Sequence, residues 1–198
     1  MTESERLRGI WQGNFGTEYT KRNHGSEMAR KRHAFWYKLA GNWQSSRVLE
    51  VGCGDGRNLG SFTTMGHMAY GVDVNALAIS FANQFANVIY AWATDLPFKD
   101  NFFDLVFCAG LLIHVCDDDV FRVMSEMRRC SADKVLIMEY AAQERTVVKY
   151  RRQKDALIKR PYGEIYRKFF DDKLIDQGFA GKAMGFDDVT WWLWRKTC

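Results

Sequence analysis

Glu50 stands two residues ahead of three glycines at alternating positions, Gly52, Gly54 and Gly56, with Asp55 among them, in the stretch RVLEVGCGDGRN. Arg47 to Val51 has the apolar character of a buried strand. Glycines directly after it let the backbone turn sharply and let a ligand approach closely. Strand-to-helix turns of this kind hold nucleotide cofactors in NAD enzymes, flavoenzymes and methyltransferases. The carboxylates discriminate among these. A pyrophosphate wants G-x-G-x-x-G and would be repelled by Glu50 and Asp55, whereas a cationic ligand would be attracted. S-adenosylmethionine, which carries a sulfonium and an ammonium group, has that character.

Further chemistry-bearing residues follow at regular intervals. Asp73 ends a second apolar run 23 positions after Glu50, near the spacing of about 20 at which an acid meets the ribose hydroxyls of a nucleoside; its alternative role is the N-cap of the next helix. Asp95, in Thr94-Asp95-Leu96-Pro97, can accept from an adenine amino group while Leu96 packs on the ring, or it can simply open a turn. His114, after the run FDLVFCA, is placed for general-base work or for a structural role. Asp117, Asp118 and Asp119 read as the acidic first turn of a helix rather than as metal ligands, because no histidine or cysteine stands at a supporting spacing. Between Glu144 and Lys168, nine Lys or Arg interleave with Tyr150, Tyr162 and Tyr166. Arginine forks there match carboxylate or phosphate, and tyrosines add a flat face and a hydroxyl.

The elements needed to position these groups can be read from apolar periodicity. Strands are expected at 47–51, 68–74, 87–93, 103–109 and 134–140, with helices between them, including 75–85. Residues 1–25, broken by Gly9, Gly13, Gly16 and Gly25, read as an irregular arm. From Ser26, taken as an N-cap, Met28, Phe35, Trp36, Leu39, Ala40 and Trp43 fall on one helical face, either a cap over a cofactor or packing for the sheet. A helix near 171–177, a strand at 179–184 and the run TWWLWRK close the pattern, the last two strands forming an antiparallel pair at a sheet edge.

Composition bounds the class. With 198 residues, 47% of them hydrophobic, the chain can bury one sizeable core, and we read a single domain: an arm and cap helix at 1–44, a cofactor core at 45–140 and a substrate-side segment at 141–198. No run approaches the roughly 18 apolar residues of a membrane span, and the charged start MTESERLRG lacks the apolar stretch of a signal peptide. A cytoplasmic protein is expected. Five cysteines without a C-x-x-C pair fit reduced thiols, not a disulfide framework or a zinc site. The net charge is +4, concentrated in 21–38 and 144–168. These are either solvated helix faces or the surroundings of an anionic substrate.

The strand–helix alternation, the E-x-G-x-G-x-G turn and the acids after the second and third strands together resemble the class I S-adenosylmethionine-dependent methyltransferases over residues 45–140. The resemblance implies a Rossmann-like, doubly wound seven-stranded α/β sheet with an antiparallel last strand. It further implies Glu50, Gly52, Cys53 and Gly54 along the methionine part of the cofactor, Asp73 and Val74 at the ribose, and Asp95 and Leu96 at the adenine. Over nearly the whole chain, FGTEYTKRN, Phe35-Trp36, GCGDGRNL, GVDVN, LPF, FDLVF, LLIHV, IMEY, KRPYGEIY and DDVTWW are similar to the pseudaminic acid biosynthesis-associated methylases. That family usually has Asn where Gly54 stands, so this sequence departs from it toward the general methyltransferase pattern. By analogy with related enzymes, Tyr19 and Arg22 would fold over the cofactor and meet its carboxylate.

The resulting expectation is methyl transfer from S-adenosylmethionine, leaving S-adenosylhomocysteine, to oxygen or nitrogen of a small anionic acceptor such as an acidic, nonulosonic-type sugar or its nucleotide conjugate. Arg151 and Arg160, with Tyr150 and Tyr162, would hold the acceptor, and His114 or Tyr140 would face its reacting atom. No metal is called for. A nucleic-acid substrate is disfavoured because CAGLL occupies the place of an Asn/Asp-Pro-Pro motif. A reductase is suggested only by the Y-x-x-x-K spacing of Tyr150 and Lys154. A cofactor-binding protein without transferase activity stays open.

Overall fold

A computed structural model describes residues 1–25, 28–44, 46–151, 153 and 156–197. Seven strands form one sheet in the order β3-β2-β1-β4-β5-β9-β8. They are β1 (Arg47–Val51), β2 (Met68–Asp73), β3 (Asn87–Tyr90), β4 (Phe103–Ala109), β5 (Ser131–Glu139), β8 (Lys173–Ala180) and β9 (Val189–Arg195). The first five pair in parallel, β9 runs antiparallel to β5, and β8 is antiparallel to β9. Two further short strands, β6 (Thr146–Val147) and β7 (Ile158–Lys159), pair with each other. The expected α/β sheet with its antiparallel last strand is therefore present.

Strand periodicity divides the core. Leu49 and Val51 of β1, Val106 and Cys108 of β4 and Val135 and Ile137 of β5 pack on one face, against Val120, Val123, Met124 and Met127 of helix α6 (Asp117–Cys130). On the other face Val48, Leu105, Phe107 and Leu136 pack against Leu59 and Phe62 of α4 (Arg57–Thr64) and Trp36 of α3 (Met28–Ala40). Burial on both faces is why the central strands read as continuous apolar runs. Trp36 is fully buried, with its ring 4.9 Å from Phe107 and 5.0 Å from Phe62. The aromatic face of α3 thus serves the sheet. The serine cap expected at Ser26 lies outside the described residues, as does Lys154.

Two expectations are corrected. Residues 1–25 are not irregular: they form α1 (Glu3–Gln12) and α2 (Asn14–Asn23), joined at Gly13. Thr2 and Glu5 close a capping box at the start of α1, which satisfies helix donors that the glycine count had obscured. The expected helix at 171–177 is replaced by β8, the strand expected at 179–184 keeps only its first two residues, as the end of β8, before a 3-10 turn at Lys182–Met184, and the helix lies earlier, as α7 (Tyr162–Phe169). β8 is an edge strand with little burial, so its sequence carries no clean alternation, and hydrogen bonding to β9 decides its state. The helix expected at 75–85 is shorter, α5 (Ala76–Ala82), with Asn75 as its N-cap.

Candidate active site

A cavity of about 700 Å³ opens at the carboxyl edge of the sheet, where β1 leads to a helix on one face and its neighbour β4 to a helix on the other. Ligands of open α/β sheets bind at such a switch point. Its floor is the turn after β1, the end of β2 at Asp73 and Val74, the residues after β4 and the end of β5 near Tyr140; α1 and α2 roof it with Arg8, Trp11 and Tyr19.

Glu50 is the polar centre of the floor. It is 1% exposed; its Oε1 accepts from Asn58 Nδ2 at 2.6 Å, and its Oε2 has no hydrogen-bond partner among the described residues. Burial pushes its carboxyl up to about 8. An unpartnered carboxylate oxygen in a ligand-sized cavity fits a cation. Gly52, Cys53 and Gly54 continue the floor, with the amides of Gly52 and Cys53 both donating to Val72 O. Asp73 accepts from the amides of Gly54 and Asn75, at 2.9 Å each, so the acid at the end of β2 also fastens the glycine turn. Burial raises its carboxyl as well.

The adenine end differs from expectation. Trp92, Ala93 and Thr94 line the cavity. The Asp95 amide turns back to Trp92 O at 3.0 Å and leaves the Asp95 side chain exposed, while Leu96 is buried in the core with its amide donating to Glu126. Asp95 and Leu96 are therefore displaced from the site by a turn that spacing alone does not reveal. Arg8 ties the roof to this end, donating to Thr94 at 3.0 Å and Asp119 at 3.1 Å.

His114 and Tyr140 both line the cavity. His114 Nδ1 lies 2.6 Å from Ala156 O and its ring 4.1 Å from that of Trp11; burial pushes it down to about 4, so the imidazole is neutral. Tyr140 donates to Asp187 Oδ2 at 3.3 Å. Tyr150 lines the cavity beside His114, 5.7 Å between ring centres.

The arginines expected at the substrate, Arg151 and Arg160, and Arg22, expected at the cofactor's carboxylate, lie outside the cavity. Arg160 is 3% exposed and its guanidinium is consumed by Asp117 and by the carbonyls of Leu112 and Val115. It braces the turn that carries His114. Tyr162 is buried, donating to Ile158 O, and Arg22 and Arg151 are exposed and do not line the cavity. Charge was legible in these residues, but the direction of each side chain depends on tertiary partners such as Asp117. Arg151→Ala is accordingly expected to leave methyl-transfer turnover within about twofold of wild type, measured by steady-state kinetics.

Residues not singled out from sequence take their place. Arg32 of α3 lines the cavity, donates to Gly185 O at 2.8 Å and makes no ion pair among the described residues. Its signal was available: it stands one helical turn before Trp36, and both reach Asn58 Oδ1. Glu139, fully buried at the end of β5, accepts from the amides of Leu111 at 2.8 Å and Leu112 at 2.7 Å and so shapes the turn before His114. Burial pushes Glu139 up to about 7.

Comparisons with known proteins agree with this architecture. Residues 49–138 match the family described as a methyltransferase domain. A search by sequence among curated proteins found no match. Among solved structures, the Burkholderia thailandensis 1,6-didemethyltoxoflavin-N1-methyltransferase, with its substrate and S-adenosylhomocysteine bound, superposes with a TM-score of 0.77 at 14% identity, over 100% of this chain and 92% of that one. Magnesium protoporphyrin IX methyltransferase from Synechocystis PCC 6803, with S-adenosylmethionine bound, gives 0.74 at 14% identity, over 100% and 98%. A possible histamine N-methyltransferase from Thermotoga maritima gives 0.67 at 17% identity, over 95% and 99%. Residues 49–138 thus carry a methyltransferase domain, set in the Rossmann-like fold that these solved methyltransferases share.

Proposed function

We propose that this enzyme methylates a small anionic acceptor, an acidic nonulosonic-type sugar or its nucleotide conjugate. The cofactor's contribution is an electrophilic methyl on an excellent leaving group, which makes alignment and desolvation the protein's main tasks. The residues present fit such a group: Glu50 Oε2 is a buried oxygen with no hydrogen-bond partner among the described residues, and a Cβ on Gly54 would meet none of their atoms within 4 Å, so that open space adjoins the turn. Glu50 would hold the ammonium, Arg32 with Tyr19 the carboxylate, Asp73 the ribose, and the wall of Trp92 and Ala93 the adenine.

The observation that carries the acceptor class is the other end of the cavity. Tyr140, Tyr150 and Asp187 line the cavity with hydroxyls and a carboxylate, and Arg57, which also pairs with Asp55, adds a guanidinium. Hydroxyl and carboxylate partners suit the hydroxyls of a sugar, and guanidinium suits an acid. The similarity to the pseudaminic acid-associated methylases over nearly the whole chain supports the same class. The solved neighbours act on a toxoflavin precursor and a magnesium porphyrin, which supports a small molecule over nucleic acid. The test is transfer of labelled methyl into three pools: acidic sugars with their nucleotide conjugates, small amines and acids, and nucleic acids. Label is expected in the first. Label confined to amines or nucleic acid would sink the proposal.

A further inference from the structure

Acceptor atoms make different demands on a methyltransferase. A free amine attacks through its lone pair and a carboxylate attacks as it stands, but a hydroxyl must lose its proton as the new bond forms. Of the carboxylates that line the cavity, Asp55 pairs with Arg57 at 2.8 Å, Asp73 holds the amides of Gly54 and Asn75, and Asp119 pairs with Arg8 at 3.1 Å. Glu50 is bound to Asn58 and lies against the glycine turn. His114 is pushed down to about 4, and its Nδ1 is tied to Ala156 O, so it is a weak base.

Tyr140 and Asp187 differ from all of these. Tyr140 lines the cavity and its hydroxyl donates to Asp187 Oδ2 at 3.3 Å; Asp187 stands at the cavity's rim, lining it and also exposed to water. Burial and the neighbouring Asp187 charge hold the phenol well above its ordinary range, so it rests protonated. A protonated phenol is no base alone, yet its oxygen can accept a hydrogen bond from the cavity while its own hydrogen points at a carboxylate. Lys159 Nζ lies 5.9 Å from the Tyr140 ring centre, and Tyr19 and Glu139 are its other ionisable neighbours. Among these groups only Asp187 is hydrogen-bonded to the hydroxyl.

We propose that Tyr140 and Asp187 form a proton path out of the cavity and that the acceptor atom is a hydroxyl oxygen. As the acceptor O–H bond breaks and the O–CH3 bond forms, the C–S electron pair goes to sulfur. The acceptor proton passes to Tyr140 Oη, and the Tyr140 hydrogen passes to Asp187. Asp187 then releases a proton to solvent, and the phenol is regenerated. Tyr140 is the catalytic residue; Asp187 positions its hydrogen and receives it. The inference rests on the acidic-sugar reading for its choice of probe.

The experiment uses the full chain with labelled S-adenosylmethionine and, as probes, N-acetylneuraminic acid, its cytidine monophosphate conjugate and an amine pool. Wild type is expected to give label that survives mild alkali, as an ether does. Asp187→Asn is expected to lower kcat about tenfold, and Tyr140→Phe at least as much, with acceptor KM unchanged within about twofold. Asp187→Glu should recover most of the rate. Both losses should occur with S-adenosylhomocysteine affinity by calorimetry equal to wild type, which shows that the fold and the cofactor floor are intact. Alkali-labile label would mean a carboxylate ester and would overturn this inference while leaving the acidic-sugar reading standing. Full kcat in both variants would overturn the path. Label only on amines, or none on either hydroxyl probe, would overturn both readings.

Discussion

Gly54→Ala is expected to cost about 30- to 100-fold in S-adenosylmethionine affinity, roughly 2–3 kcal/mol, while the protein stays folded. The backbone at Gly54 has φ +54°, where an alanine costs about 1–2 kcal/mol. For a chain of this size that corresponds to a fall in Tm of roughly 2–8 °C. A Cβ at Gly54 meets no atom of the described residues within 4 Å, so it would occupy the open space next to the turn that the cofactor needs. Gly56 supplies the contrast. It has φ +78°, and a Cβ there would sit 2.7 Å from Ala82 Cα, a backbone atom that cannot retreat. Gly56→Ala combines left-handed strain with overpacking, about 2–5 kcal/mol together, and should lower Tm by roughly 5–20 °C. Calorimetric binding and thermal melts on both variants give a direct comparison. Wild-type affinity in Gly54→Ala would remove the turn as the cofactor cradle.

Cofactor affinity is also expected to depend steeply on pH through Glu50. With its carboxyl at about 8 in the free protein, only a small fraction is ionised at pH 6. A cationic ligand that needs the ionised form then binds more tightly by about tenfold per unit up to pH 8, and no more tightly above it. Glu50→Gln should flatten the profile and weaken binding by about 30- to 1,000-fold at pH 9, since it removes the charge from a buried site. Titration calorimetry at several pH values decides the matter; a wild-type profile that is flat from pH 6 to 9 would exclude Glu50 as the ammonium partner. The same shift bears on stability. The folded-state value lies above the unfolded one near 4.5, so protonated Glu50 favours the folded state. That stabilisation is complete below about pH 4.5 and is lost as pH rises through about 8. Glu139 acts with the same sign, with its loss ending at about 7. The ligand-free protein should therefore melt at lower temperature as pH rises from 5 to 8, and S-adenosylmethionine should offset the loss where Glu50 is ionised.

The central sheet was legible because its strands are buried on both faces and carry apolar runs such as FDLVFCA. The glycine turn with Glu50 and Asp73 was legible because backbone conformation and charge are local properties. Asp95 was not, since a single turn at Trp92 redirects its side chain. Arg160 advertised its charge but not Asp117, the partner that consumes it. Helix α1 was readable in principle from Thr2 and Glu5, three residues apart, but the glycines around it outweighed that signal. Glu139 also left a trace: an acid at the end of the apolar strand KVLIMEY parallels Glu50 in RVLEV, and both prove to be buried carboxylates facing the same edge of the sheet.

The position of β9 sets the order in which this molecule can be assembled. It follows every other strand in the chain, yet it lies between β5 and β8, pairing Lys134 with Arg195 on one side and Lys173 with Arg195 on the other. During synthesis the parallel strands β1 to β5 can associate as they emerge, whereas β8 has no place in the sheet until β9 arrives. Asp187 lies two residues before β9, and Tyr140 immediately follows the strand that β9 pairs with. The nascent protein thus completes its cofactor floor before its acceptor end, and the hydrogen bond between Tyr140 and Asp187 forms only when the last strand is inserted.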